Sequence, residues 1–200
     1  MAFWAENFAE RTDTPLRDPK RQFRFIVEFT GIAAAEGGSA LWYASSVSKP
    51  SFQINAAEHK YLNHTFYYPG SVSWQDVSLT LVDPVSPDMT ATFADLVQVG
   101  GYSPPTTPFA TRTMSKASAA RALGTVYIIQ FDAEGNELEK WTLWNSFITD
   151  LKFGDTLKYG EDNLVEMQVT LKYDWARLET DGTDGSVVEG SEGTKEFFGA

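Results

Sequence analysis

The sequence predicts a mainly β fold, a two-sheet sandwich or barrel with one flanking helix. Roughly eight segments alternate apolar and polar residues with a period of two, and one segment carries an apolar stripe at helical spacing. The 200 residues are 42% apolar and 14% aromatic, enough to build the core of one domain of this kind.

The elements follow in chain order. Phe23, Phe25, Val27 and Phe29 alternate with Gln22, Arg24, Glu28 and Thr30, broken only by Ile26, which predicts a half-buried strand. Residues 41–47 read as a second short strand. Residues 59–68 read as a third, rich in Tyr and Phe and stopped by Pro69 and Gly70. Val77, Leu79 and Leu81 alternate with Asp76, Ser78 and Thr80 until Asp83 and Pro84 end the run. Ser86, Pro87 and Asp88 then mark a helix start, with Ser86 as the capping hydroxyl. Met89, Phe93, Leu96 and Val97 form one stripe, Gly100 and Gly101 close it, and the helix is expected over 88–99.

The three prolines between 103 and 108 require a loop, and an Ala-rich stretch at 115–123 suits a short helix. Residues 125–131 and 138–144 flank a turn at 132–136 and read as a hairpin. A strand over 147–153 follows. Last comes the clearest alternation, with Val165, Met167, Val169, Leu171 and Tyr173 inward and Glu166, Gln168, Thr170, Lys172 and Asp174 outward. Trp175 and Tyr173 are expected to anchor that strand as buried rings. The domain reading is an N-terminal arm at 1–20, a β domain at 21–176 and an acidic, Gly-rich extension at 177–200. The two ends carry apolar anchors in otherwise polar stretches: Phe3, Trp4 and Phe8 at one, Phe197 and Phe198 at the other.

Several chemistries drop out. With no cysteine there is no disulfide, thiolate nucleophile or Cys-ligated metal. Only His59 and His64 are present, and on a single strand their odd spacing points them to opposite faces, so neither a metal pair nor a serine triad is expected there. No phosphate-binding glycine motif, HExxH or EF-hand loop occurs. Residues 21–26 loosely match an RNA-recognition strand, but Gln22 and Arg24 stand where small residues are needed. The formal net charge of −11 disfavours nucleic-acid binding. The acidity is concentrated in the strand-rich stretches 71–110 and 125–175. No apolar run approaches membrane-spanning length, and residues 1–20 lack a secretory apolar core. No catalytic residue, cofactor or metal is expected.

The order of strands, the stretch Trp74-Gln75-Asp76-Val77-Ser78-Leu79-Thr80-Leu81-Val82-Asp83, the helix and the long loop give one part of a pattern. The run Leu143-Trp144-Asn145-Ser146-Phe147-Ile148 and the closing Val165 to Trp175, with its Tyr173-Asp174-Trp175 end, give the rest. Over about residues 20 to 176 this pattern resembles the tail tube proteins of contractile-tailed bacteriophages.

The resemblance implies a subunit that forms hexameric rings, stacked into a tube inside a contractile sheath. Strands of all six copies join in a continuous inner barrel. It implies, as partners, further copies of the chain, the sheath protein, baseplate and tube-terminator proteins, and tape measure protein and DNA passing through the channel without specific binding. It also implies location in the virion after assembly in the host cytoplasm, with no membrane anchor. Asp76, Ser78, Thr80, Glu166, Gln168 and Thr170 are then candidates for the channel lining, where acidic residues would repel DNA phosphate. Phe3, Trp4, Phe8, Phe197 and Phe198 are candidate inter-subunit anchors.

Alternatives are a tube initiator or terminator, and the inner-tube protein of a related contractile injection or secretion system. A different class is a lectin-like β-sandwich with Trp42, Tyr67 and Tyr68 as a sugar platform. A carboxylate-dependent hydrolase comes last, for want of a site signature.

Overall fold

A computed structural model of the chain describes residues 20–32, 40–41, 44–106, 113–160, 162–180 and 195–199. The strands are β1 (Phe25–Phe29), β2 (Ala40–Leu41), β3 (Ala44–Val47), β4 (Phe52–Tyr61), β5 (His64–Trp74), β6 (Val77–Val82), β7 (Val126–Phe131), β8 (Glu137–Trp144), β9 (Phe147–Lys152), β10 (Glu166–Lys172), β11 (Trp175–Thr180) and β12 (Lys195–Phe197). Two helices, α1 (Met89–Val99) and α2 (Lys116–Leu123), separate β6 from β7.

The strands form a six-stranded sheet in the order β12-β11-β8-β7-β1-β2 and a four-stranded sheet in the order β3-β6-β10-β9, while β4 and β5 form a separate two-stranded ribbon. Every pairing is antiparallel. The two larger sheets bury their alternating apolar residues between them. Val27, Phe29, Val126, Ile128 and Leu143 come from one sheet; Val77, Leu79, Leu81, Met167, Val169 and Leu171 come from the other. Met89 and Phe93 of α1 complete this core, and the Phe93 ring meets Phe29 edge-on at 5.9 Å. The fold is therefore mainly β and two-sheeted, as the alternation predicts.

Several elements differ from the sequence expectation, each for a local reason. The aromatic segment is a hairpin of two long strands, β4 and β5, turning at Leu62 and Asn63 rather than one strand stopped by Pro69 and Gly70. Pro69 is tolerated inside β5 because it lies opposite Ala56, beside a register shift at Ile54/Ala56, in a ribbon whose outer side has no described partner. The expected strand at 41–47 is two short strands that belong to different sheets.

Helix α1 is capped by Asp88 instead of Ser86. The Asp88 carboxylate accepts the Ala91 N–H at 2.9 Å, while Asp83 accepts the Met89 N–H at 3.1 Å and the Thr90 hydroxyl at 2.7 Å. The Ala-rich stretch does form the short helix its composition suits, started by a reciprocal cap between Ser115 and Ser118, so that two helices and not one flank the sheets. The β10 strand is not the last one: β11 pairs with β8 through Thr180, beyond the boundary expected at 176, and β12 adds to β11.

The passage from α2 into β7 requires glycine on both sides. Gly124 has φ 72, and a Cβ on Gly31 would lie 2.1 Å from the Ala122 carbonyl oxygen. This close approach lets the Gly31 N–H reach the Leu123 carbonyl at 3.1 Å and locks β1 to the helix end.

Candidate assembly surface

The six candidate channel residues fall on one face. β6 and β10 pair in the register Thr80↔Gln168 and Ser78↔Thr170, with Glu166 at one end and Asp76 at the other. Alternation turns Val77, Leu79, Leu81, Met167, Val169 and Leu171 into the core and leaves these polar side chains on the opposite side. Asp76 is closed by an ion pair to Lys172 at 2.7 Å. Register extends the face to Asp150 and Lys152 on β9 and Ser46 on β3. It therefore carries Asp76, Asp150 and Glu166 against Lys152 and Lys172, polar and close to charge balance. The excess acidity of these stretches lies elsewhere.

The same sheet has two open edges. Among the described residues, neither β3 nor β9 has a strand on its outer side. Because each successive pair is antiparallel, β3 and β9 run in opposite directions. The exposed backbone donors and acceptors of such edges are templates for another chain.

The β4–β5 ribbon is the second exposed feature. All ten residues of β4 are exposed, and so are most of β5, including Phe52, Ile54, Tyr61, Phe66, Tyr67, Tyr68 and Val72. Eleven residues of strand reach roughly 35 Å. The pairing Tyr61↔His64 and His59↔Phe66 puts both histidines on one ribbon face, because they belong to partner strands and not to one. The His64 ring meets Phe66 at 4.7 Å. Tyr67 and Tyr68, adjacent in β5, point to opposite faces, so they make no common platform for a sugar; Trp42 lies outside the described residues.

Beside the β9 edge, α1, α2 and β9 enclose an apolar pocket of about 320 Å³, lined by Leu96, Val97, Met114, Leu123, Ile148 and their neighbours. Its lining includes one acid, Asp150, and no base.

A buried carboxylate holds the root of the ribbon. Glu139 accepts Lys49 Nζ at 2.8 Å and Lys20 Nζ at 2.6 Å, and its side chain is only 9% exposed. The Trp141 indole N–H donates to it as well, and Lys49 also donates to Gln130. Burial alone would raise this carboxyl, but the two ammonium groups and the indole outweigh burial and hold it at about 2. Composition hides this cluster, since its members are 119 and 90 residues apart and only the sheet register joins them.

The candidate anchors divide. Phe3, Trp4 and Phe8 lie outside the described residues. Phe198 packs on its own chain, edge-on to Phe52 and to Trp74, both at 5.7 Å, while Phe197 sits opposite Leu178 in β12. Trp175 is 40% exposed and stacks on Trp144 at 6.1 Å, whereas Tyr173 is buried, with its phenol pushed up to about 12 by that burial. Among the described residues, no helix is long and apolar enough to cross a membrane, and no three acidic or histidine side chains converge as metal ligands.

No protein-family profile and no curated protein matches this chain. Solved structures do. A chain of the sheath–tube complex of an extracellular contractile injection system, PVC, in its extended state aligns with TM-score 0.60 and 16% identity over 82% of this chain and 94% of its own. A chain of the tube-terminating cap of the anti-feeding prophage aligns with TM-score 0.59 and 19% identity over 90% of this chain and 99% of its own. A chain of the six-fold symmetrised baseplate of that prophage aligns with TM-score 0.58 and 15% identity over 81% and 96%. The protein has the fold found in these contractile-system tube and cap assemblies.

Proposed function

We propose that the chain is a non-enzymatic structural subunit of the inner tube of a contractile tail, assembling as six-membered rings that stack into a hollow tube. The observation that carries this reading is the four-stranded sheet with a wet face and two edges of opposite direction that are open among the described residues. Setting β9 of one copy beside β3 of the next continues the antiparallel alternation. Because the two edges differ, the contact is head-to-tail and closes by rotation into a ring. Closure pairs both edges of the four-stranded sheet and yields a barrel whose interior is the polar face of Asp76, Ser78, Thr80, Glu166, Gln168 and Thr170.

A near-neutral, hydroxyl- and amide-rich lining gives passing DNA and tape measure protein no basic patch to bind. The fold shared with tube and baseplate assemblies, one of them six-fold symmetrised, supports the ring order. On this reading the ring's outer surface meets a sheath, and the tube belongs to a virion that ejects a genome. A terminator role is the second reading, supported by the wide coverage of the prophage cap.

Negative-stain microscopy of the purified protein, with light scattering at rising concentration, tests both readings. Long hollow tubes are expected for the shaft subunit and single rings for a terminator. A monodisperse monomer at the highest concentrations, without rings, overturns the proposal.

A further inference from the structure

We infer that β12 is exchanged between copies: in the assembled ring the C-terminal strand of one copy seats on β11 of its neighbour. This inference rests on the ring reading above.

The seat is complete without the chain that leads to β12. Lys195, Glu196 and Phe197 pair with Thr180, Glu179 and Leu178 on the outer edge of β11. The Glu196 carboxylate meets the Arg177 guanidinium, and the Phe198 ring lies 5.7 Å from those of Phe52 and Trp74. All these partners belong to β11 or to the two ends of the ribbon. β12 is also the outermost strand, so a copy that gives it up loses no other pairing of the six-stranded sheet.

The connection is far longer than the pairing requires. Thr180 and Lys195 face each other, a gap that two residues can bridge, yet fourteen residues, 181–194, join them. A chain of that length spans up to about 45 Å. Each copy contributes four strands to the barrel, so neighbouring copies repeat every roughly 20 to 25 Å around its wall and about 30 to 35 Å one sheet layer farther out. The connection therefore reaches a neighbour's β11.

Charge favours the longer path. Residues 181–194 carry Asp181, Asp184, Glu189 and Glu192, four glycines, no base and no aromatic residue. Seating β12 on its own chain gathers these four carboxylates into one closed loop, whose stems already set Glu179 opposite Glu196. Drawn toward a neighbour, the same charges separate, because a charged linker repels itself and extends. The contacts at the seat are the same in either case, so this relief sets the direction of the exchange. In the ring the neighbour's seat is held at high effective concentration, whereas a free subunit has only its own.

The chain has no cysteine, so engineered thiols report the pairing without background. A Thr180→Cys/Lys195→Cys variant places two thiols at directly paired positions and leaves Glu196 and Phe198 in place. Tubes of this variant, oxidised and then denatured without reductant, should run as covalent ladders of up to six subunits. A mixture of the two single variants should give a mixed dimer when assembled and none when kept as free subunits. Where the double variant fails to assemble, the two single variants, co-assembled with an excess of unaltered protein, give the same reading.

Tubes in which the double variant holds only a disulfide within each chain overturn the exchange and leave the tube reading intact. Ladders longer than six overturn the placement within one ring. Tubes without any disulfide overturn the exchange as well, because they remove the β11–β12 pairing on which it stands. Unaltered protein that forms neither rings nor tubes overturns both.

Discussion

Lys49, at the root of the β4–β5 ribbon, places its Nζ 2.8 Å from an oxygen of Glu139, a carboxylate on β8 of the opposite sheet. Lys20 meets the other oxygen at 2.6 Å, so one buried acid ties the ribbon and the N-terminal entry to the same point. Removing the charge takes a buried partner from two half-exposed ammonium groups and from the Trp141 indole N–H, a larger loss than that of a fully exposed ion pair.

The depressed carboxyl makes this contribution pH-dependent with a definite sign. The unfolded group titrates near 4.5 and the folded one at about 2, so the native state binds fewer protons between these values. The stabilisation is complete above pH 4.5 and is lost as pH falls towards 2, with an upper bound of about 3 kcal/mol. Urea unfolding of the wild type and Glu139→Gln from pH 7 to 2.5 should show a stability gap that is widest at neutral pH and narrows below 4.5. A gap constant across that range would remove Glu139 as its source.

Trp175 and Tyr173 should separate in their cost. The Trp175 ring keeps 40% of its surface in water and gains mainly a stacking contact with Trp144, so Trp175→Ala should destabilise by about 1 to 2 kcal/mol. Tyr173 is buried against Trp74 at 5.8 Å, and Tyr173→Ala should cost about 3 to 5 kcal/mol. Equal shifts in melting temperature for the two variants would contradict the placement of these rings.

These two rings also show what a sequence can reveal. Strict alternation identifies β6 and β10 and their faces, because Leu79 and Val169 must turn inward together for the sheet to bury anything. The same logic misleads at 59–68. Both strands of an isolated ribbon are wet on both faces, so alternation carries no inward signal, and the Leu62-Asn63 turn lacks the glycine that marks a hairpin. Trp175 reads as buried from its chemistry alone, yet its exposure is decided by β8, which leaves it opposite Trp144 at the sheet end. Glu139 is invisible for the same reason: Lys49 and Lys20 become its partners only through long-range register.

The assignment of the polar face to the tube interior can be read chemically. Gln168→Cys lies on that face, whereas Glu28→Cys lies on the outward side of the six-stranded sheet, since Val27 and Phe29 beside it are buried. Both variants should react with a bulky polymer-linked maleimide as free subunits. In assembled tubes only the Glu28→Cys thiol should remain reactive. Equal labelling of the two, in tubes verified by microscopy, would place the four-stranded sheet on the outside.

Phe198 lets the C-terminal strand serve the ribbon within one subunit. Its ring touches Phe52, the first residue of β4, and Trp74, the last of β5, so it sits across the two ends at which the ribbon joins the body. Phe52 and Trp74 themselves meet at 5.1 Å and are paired in register, and Trp74 continues the contact inward to Tyr173. Among the described residues the three-residue β12 pairs only with β11, and ordering its backbone costs roughly 1 to 2 kcal/mol per residue, so the Arg177–Glu196 ion pair and the Phe198 ring contacts add to its hold. Phe198 is 51% exposed, which limits the loss in Phe198→Ala to about 1 to 2 kcal/mol. Because that loss is concentrated at one joint, its effect should be local. Hydrogen exchange in residues 195–197 should approach the unprotected rate, and exchange at Phe52 and Trp74 should accelerate, while the amides of β6 and β10 keep their protection. A uniform rise across both sheets would show instead that the ring stabilises the whole core and has no special hold on the ribbon.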